Sequence, residues 1–238
     1  IEEAIDERTR ALAISHVEYM DGYRNDLERL GSICRSRSVE LFVDATQSLG
    51  AQPIDLPASG VTAIVAHGYK WLMAGFGIGA VVFEPDAIDR IDITYAGRLS
   101  VEQGFEDHNY ELNWREGAAR FQTGGLNQLG LTAMHASLGL VTQAGPGWTR
   151  EHTLALHDRL ANGVARKGFT VVSDMTMEHR SQIMTFSSGD LARDGEVVKL
   201  LEQANVAVTL RGRGVRVSPY FYNSDEDIAR LVDALPTL

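Results

Sequence analysis

Lys70 stands inside VAHGYKWLMAGFGIGAVVF (65–83), an apolar, glycine-rich stretch. Desolvation there disfavours an ammonium and pushes a lysine pKa down. A structural lysine gains nothing from that placement, whereas a neutral amine is what Schiff-base chemistry needs. Twenty-six positions upstream, VDATQ ends an apolar run at Asp44 and supplies a buried carboxylate, suited to a cofactor that needs a protonated ring nitrogen. Together Lys70 and Asp44 point to pyridoxal 5'-phosphate chemistry, with Lys70 also moving a proton at the substrate's α-carbon. Gln47, three residues past Asp44, can donate to a ring phenolate oxygen. Asp44 can equally cap a following helix and leave Gln47 exposed.

Around the lysine, Tyr69 and His67 can donate to a phosphate, or satisfy nearby carbonyls as buried polar side chains usually do. GFGIGA follows the lysine and enters a strand instead of a helix, so it is a weak dinucleotide signal. Its glycines serve close backbone approach. Further on, TLRGRGVRVSPYFYN (209–223) carries three arginines. Arg216 alternates with Val215 and Val217 on a strand. There it can grip a carboxylate bidentately or sit as a surface cation. In RFQTGGLN (120–127), Thr123, Asn127 and the amides of Gly124 and Gly125 can hold phosphate at a helix N-terminus, or Thr123 can simply cap that helix. His16, His108, His135, His152, His157 and His179 have no metal-ligand spacing and read as structural or exposed. No metal site is expected.

These side chains need a scaffold. IEEAIDERTR reads as the end of a helix, ALAISHV as a buried strand, and Asn25 or Asp26 as the cap of a helix running through Arg35. ELFVD, TAIVAH and GAVVFE read as further strands, the last two buried on either side of a functional turn. Apolar strands separated by helix or loop predict an α/β sheet covered on both faces. Residues 92–120 form a long polar connection of the kind that carries function. Two helical patterns, Leu126–Val141 and one reaching Lys167, flank Gly145–Pro146. Past Gly168 come strands FTVVS and QIMTFSS, helix EVVKLLEQAN, strands VAVTL and VRVSP, and helix DEDIARLVDAL. The boundary is placed near 146, giving residues 1–145 and a small α+β domain at 146–238.

Composition narrows the classes. The 238 residues are 44% hydrophobic and 23% charged, an ordinary globular balance. A formal charge of −10 argues against nucleic acid as a partner. The single cysteine, Cys34, excludes a disulfide framework and agrees with a reducing, cytoplasmic setting. Residues 61–83 are long enough to span a bilayer, but Lys70 at the centre and four glycines argue against it. The first residues lack signal-peptide character and do not begin with Met, so the chain is expected to be a piece of a longer protein.

In this order, TRALAISHVEYMDGYRNDLERL, LFVDATQSLGAQPIDL, GYKWLMAGFGIGAVVF, RFQTGGLN and VRVSPYFYNSDEDIARLVDAL resemble the class V aminotransferases, fold-type I enzymes grouped with cysteine desulfurases and kynureninase. The resemblance implies a pyridoxal phosphate enzyme acting on an amino acid or amine. Transamination comes first, with lyase, kynureninase-like or epimerase chemistry as the alternative. A non-catalytic binding domain that retains the fold is the reading from another class. Carried over, Lys70 is the Schiff-base lysine, Asp44 the pyridine-nitrogen partner and Gln47 the phenolate partner. Tyr69 and His67 become phosphate ligands and Arg216 the carboxylate clamp. The family is dimeric, with RFQTGGLN approaching the neighbouring subunit's phosphate.

Three departures stand out. The N-terminal part with the ring-stacking residue and phosphate loop is missing, leaving a partial large domain plus a small one. Thr209–Val215 is short and lacks the cysteine of desulfurases. Gly125 and Thr46 replace the usual Thr or Asn and Ala. Tyr69 before the lysine is similar to kynureninase.

Overall fold

In a computed structural model, residues 1–102 and 112–238 are described. His108 and the middle of the expected 92–120 connection lie outside them. The chain forms two compact units that interleave in sequence. One comprises Ile1–Ile14, Leu27–Asp44 and Asp55–Leu138; the other comprises Ser15–Asp26, Ala45–Ile54 and Gly139–Leu238.

The first unit is built on a four-stranded sheet of β1 (Ala11–Ser15), β2 (Glu40–Asp44), β3 (Ala63–His67) and β4 (Gly79–Phe83), adjacent in that order. β2 and β3 are parallel, with Asp44 opposite Val65, and β4 runs antiparallel to β3. Helix α1 (Leu27–Ser36) buries Leu27, Leu30, Gly31 and Cys34, the inward stripe of a helix. The one-turn helix α2 (Leu56–Ser59) is capped by Asp55, whose carboxylate accepts from the Ala58 amide at 3.0 Å. Gly31 allows α1 to lie on α2: a Cβ there would sit 1.8 Å from the Ser59 carbonyl oxygen.

Two expectations for this unit change. IEEAIDERTR is not a helix beyond one 3-10 turn, Glu2–Ala4. Asp6 and Thr9 instead exchange hydrogen bonds, with the Asp6 amide donating to Thr9 Oγ1 at 3.1 Å and Thr9 Oγ1 to Asp6 Oδ1 at 3.0 Å. Such side chains offer the backbone an alternative to the helical ladder. Nor is β4 buried. It is an edge strand, and Val81 and Val82 are 48% and 43% exposed, because hydrophobicity alone does not say which strand ends a sheet. Among the described residues no helix is long and apolar enough to cross a membrane.

Helix α3 (Gln128–Ala144) belongs partly to each unit. It is apolar on most sides, as its sequence predicts, and leaves Leu129 and Leu140 exposed.

The second unit surrounds a core of Leu156, Leu160 and Val164 from α4 (Pro146–Arg166), Met184 and Phe186 from β6 (Met184–Ser187), and Val215 and Val217 from β8 (Gly214–Val217). Val197 and Leu201 from α5 (Leu191–Gln203) and Ile228 and Leu231 from α6 (Asp225–Ala234) close it. Strands β5 (Thr170–Val171) and β7 (Thr209–Arg211) complete an antiparallel sheet ordered β5-β6-β8-β7. α5 begins five residues before the expected EVVKLLEQAN because Asp190 caps it, accepting from the Ala192 amide at 2.9 Å. α6 begins with a capping box between Ser224 and Asp227.

Candidate active site

In the first unit, the parallel register brings the carboxyl ends of β2 and β3 to one sheet edge. Open α/β sheets bind ligands at that edge. Asp44 closes β2 there and is exposed, where the sequence argued for a buried carboxylate; Val43 before it is buried. Strand alternation explains the difference, since the last residue of β2 points opposite to Val43 and past the end of the strand.

β3 continues to His67 and then turns tightly. The Gly68 amide donates to Ile78 O at 2.8 Å, Ala74 N to Gly68 O at 2.7 Å, and Met73 N to Lys70 O at 2.9 Å. Gly68 suits this crossing, because a Cβ would meet Ile78 Cγ2 at 2.8 Å and Ala74 Cβ at 3.1 Å. Lys70 rides on the turn, half-buried, with Trp71, Leu72 and Ala74 buried behind it.

Its Nζ lies 5.8 Å from the centre of the Tyr69 ring. That ring in turn lies 5.4 Å from His67 and stacks on Phe76 at 4.8 Å. Asp44, His67, Tyr69 and Lys70 thus share one edge of one unit. His67 and Tyr69 also line an open, apolar groove of about 570 Å³ with Val65, Phe76 and Val81.

The 120–127 segment enters as a 3-10 turn, Gly117–Phe121, and runs exposed to α3. Thr123 does not cap the helix. Asn127 does: its Oδ1 accepts from the Gly130 amide at 2.9 Å, and its Nδ2 donates to Gly77 O at 3.2 Å. The cap therefore also ties α3 to the glycine turn downstream of Lys70. Around Gly124 and Gly125 a Cβ would meet nothing within 4 Å, so their backbone is open to approach.

Gln47 and Arg216 belong to the second unit. A helical turn sets Gln47, with the Ser48 and Leu49 amides both donating to Ala45 O, at 2.9 and 2.8 Å. The Gln47 carbonyl accepts from Nε2 of buried Gln182, whose Oε1 accepts from Gln52 Nε2 at 2.7 Å. The Tyr220 hydroxyl donates to Gly50 O at 3.2 Å, holding the same loop.

Arg216 lies between buried Val215 and Val217, opposite Thr185 of β6 and Thr209 of β7. Its Nη1 donates to Tyr19 O at 2.6 Å, and its Nε is buried with no hydrogen-bond partner among the described residues. Burial, then the neighbouring Arg211, holds the Arg216 guanidinium below the usual arginine range. A carboxylate would relieve both.

Two residues that touch this machinery were not evident beforehand. Gln182 gave only a polar residue at the head of an apolar strand, and Tyr19 lay in EYMDGYR, which reads as loop.

Comparison with known proteins follows the same lines. The model of the family "Aminotransferase class-V" matches residues 1–231. An uncharacterized aminotransferase, YcbU of Bacillus subtilis, is 26% identical over 97% of this chain and 60% of its own length. A probable cysteine desulfurase of Methanothermobacter thermautotrophicus is 25% identical over 99% of this chain and 62% of its own. A lysine-to-alanine variant of C-DES, solved with glycine covalently linked to its PLP cofactor, superposes with a TM-score of 0.82 at 22% identity. That match covers 98% of this chain and 62% of C-DES. The chain thus spans about three-fifths of the length of these proteins.

Proposed function

The chain belongs to the class V aminotransferase family, and we propose that its full-length protein is a pyridoxal 5'-phosphate enzyme acting on an amino acid or amine, with transamination as the reaction. The observation that supports this reading is the parallel pairing of β2 and β3, whose carboxyl ends, Asp44 on one and the turn leading to Lys70 after the other, lie at the same end of the sheet.

The donor chemistry fits the cofactor. An amine stands on a tight turn, a carboxylate ends the neighbouring parallel strand, and the Tyr69 ring lies near the amine with His67 against it. When bound, pyridoxal phosphate supplies an electron sink that makes the substrate's α-proton removable. Asp44 would hold the pyridine nitrogen protonated, and Gln47 would donate to the phenolate oxygen. Tyr69, His67, Thr123 and Asn127 with the open Gly124–Gly125 backbone are the phosphate donors of this reading. Because both polar ends of the Asn127 side chain are already engaged, its share falls on positioning that backbone.

Lys70 would anchor the cofactor and then carry the proton to and from the α-carbon. Arg216 would clamp the α-carboxylate with the part of its fork that the Nη1 bond to Tyr19 O does not engage. Residues 1–145 are read as part of a larger cofactor domain, 146–238 as the small domain, and the working form as a homodimer in the cytoplasm.

Borohydride reduction of the full-length protein with pyridoxal phosphate, followed by peptide mapping, tests the assignment. The cofactor should be fixed on Lys70; a label elsewhere, or none, sinks it.

Lyase chemistry is the second reading, favoured by the similarity to a probable cysteine desulfurase. Sulfur transfer to a cysteine of this chain has little support, since Cys34 is fully buried in α1 and burial pushes its thiol up. Keto acid formed in step with the cofactor, the amino group staying on it, supports transamination. Ammonia or sulfide released with the cofactor unchanged supports the lyase.

A further inference from the structure

The hairpin β7–β8 presents two arginines on one face. Thr209 pairs with Arg216 and Arg211 with Gly214, so Thr209, Arg211, Gly214 and Arg216 lie on one side. Leu210 and Val215 lie on the other, the side that packs on α5, where Val215 joins Val197 and Leu201. Arg211 and Arg216 are diagonal neighbours, a relation that sets Cβ atoms about 7–8 Å apart and within reach of long side chains.

The third arginine behaves differently. Arg213 Nη1 is held by the Asp21 carboxylate at 2.7 Å. Among the described residues, neither Arg211 nor Arg216 has a carboxylate within ion-pair distance.

The segment laid across the same face adds no negative side chain to these two. Arg216 binds the Tyr19 carbonyl, and Thr185 Oγ1 donates to Met20 O at 3.0 Å, while Asp21 is taken by Arg213. Two guanidiniums that face one space without a counter-charge repel each other. The closeness of Arg211 is already one of the causes that lower Arg216. An anion between them, or one on each, removes that cost.

We propose that Arg211 and Arg216 form a two-cation clamp and that the substrate is an amino acid with a second acid group on its side chain. This rests on the reading of Arg216 as the α-carboxylate clamp. Arg216, half-buried and steadied by Tyr19 O, takes the α-carboxylate that every amino-acid substrate shares. Arg211, exposed at the end of β7, takes the side-chain carboxylate and so sets specificity.

Calorimetric titration of the full-length holoenzyme with L-glutamate and L-glutamine tests the proposal without relying on turnover. The two ligands have nearly the same shape, and the side chain ends in a carboxylate in one and in a neutral amide in the other. Wild-type protein should bind L-glutamate at least tenfold more tightly. In Arg211→Gln that preference should disappear through weaker L-glutamate binding, with L-glutamine unchanged, and Arg211→Lys should restore part of it. Equal affinity for the two ligands in the wild type, or equal weakening of both in Arg211→Gln, overturns the second subsite. Arg216→Lys separates the two readings, since it should weaken both ligands alike. If it weakens neither, the α-carboxylate assignment fails, whatever Arg211 does.

Discussion

The Lys70 Nζ lies 5.8 Å from the centre of the Tyr69 ring, at the outer reach of a cation–π contact, and the same ring stacks on Phe76. One tyrosine therefore supports the lysine with its ring and can serve a phosphate with its hydroxyl. The two jobs separate by substitution. Tyr69→Phe should keep the lysine in place and weaken pyridoxal phosphate by one charge-assisted hydrogen bond, about 1.5–3 kcal/mol, or roughly tenfold or more in Kd. Tyr69→Leu should lose a further ~0.5–1 kcal/mol with the ring. Cofactor titration by absorbance in the full-length protein measures both. If Tyr69→Phe binds as the wild type does, the hydroxyl does not touch the phosphate.

Asn127 gives a second separable pair, since Oδ1 caps α3 while Nδ2 holds Gly77 O. Asn127→Ala should lose about 1 kcal/mol or more of unfolding free energy, the usual value of an N-cap. Asn127→Asp keeps the acceptor and replaces the donor with a negative charge that suits a helix N-terminus, so it should recover most of that stability. A cofactor affinity that falls equally in both variants would place the effect in the tie to Gly77. Urea unfolding alongside cofactor titration distinguishes the two bonds.

Gly31→Ala sets two effects of opposite sign against each other. Alanine favours a helix over glycine by about 1 kcal/mol. The new Cβ, however, would fall 1.8 Å from the Ser59 carbonyl oxygen, which is backbone and cannot swing away. Overpacking of this kind costs about 1–3 kcal/mol, so a net loss of stability is expected. A variant with a higher Tm than the wild type would show that α1 does not rest on α2 through this glycine.

Most of this architecture was legible because apolar period and punctuation agree. ELFVD, TAIVAH and GAVVFE are strands, and Gly145–Pro146 does divide two helices. What escaped was decided by single side-chain hydrogen bonds or by neighbours distant in sequence. Asp6 and Thr9 divert the first ten residues from a helix, and Asp190 starts α5 early. Asn127, not Thr123, caps α3. At the site, the turn that carries Lys70 and the placement of Arg216 between buried Val215 and Val217 could be read from glycine punctuation and strand alternation. The exposure of Asp44 could not, since alternation sets it opposite to Val43 but ELFVD alone does not say which of the two faces is covered. Gln182 under Gln47 was hidden because the partners stand 135 positions apart in sequence.

His157 is fully buried in α4, and burial together with the nearby Arg180 lowers its pKa from 6.5 to about 4. His16 is likewise lowered to about 4, by burial and then by Arg24. Both are neutral in the folded protein at neutral pH. Above about pH 6.5 neither the folded nor the unfolded chain protonates them, so they add no pH dependence there. Between 6.5 and 4 the unfolded chain binds protons that the folded one refuses, so stability falls as pH falls. The slope approaches about 1.4 kcal/mol per pH unit for each histidine, and the full loss is about 3 kcal/mol each by pH 4. Glu40 and Asp227 are lowered carboxylates whose contribution is lost only at lower pH, below about 4.5, which leaves the upper part of this window to the histidines. Chemical unfolding of the full-length protein at pH 7.5, 6 and 5 should therefore show falling stability. His157→Gln, whatever it costs at pH 7.5, should reduce the drop between pH 6 and pH 5 by roughly the slope of one histidine. An unchanged drop in that variant would mean that His157 takes up its proton in the folded state.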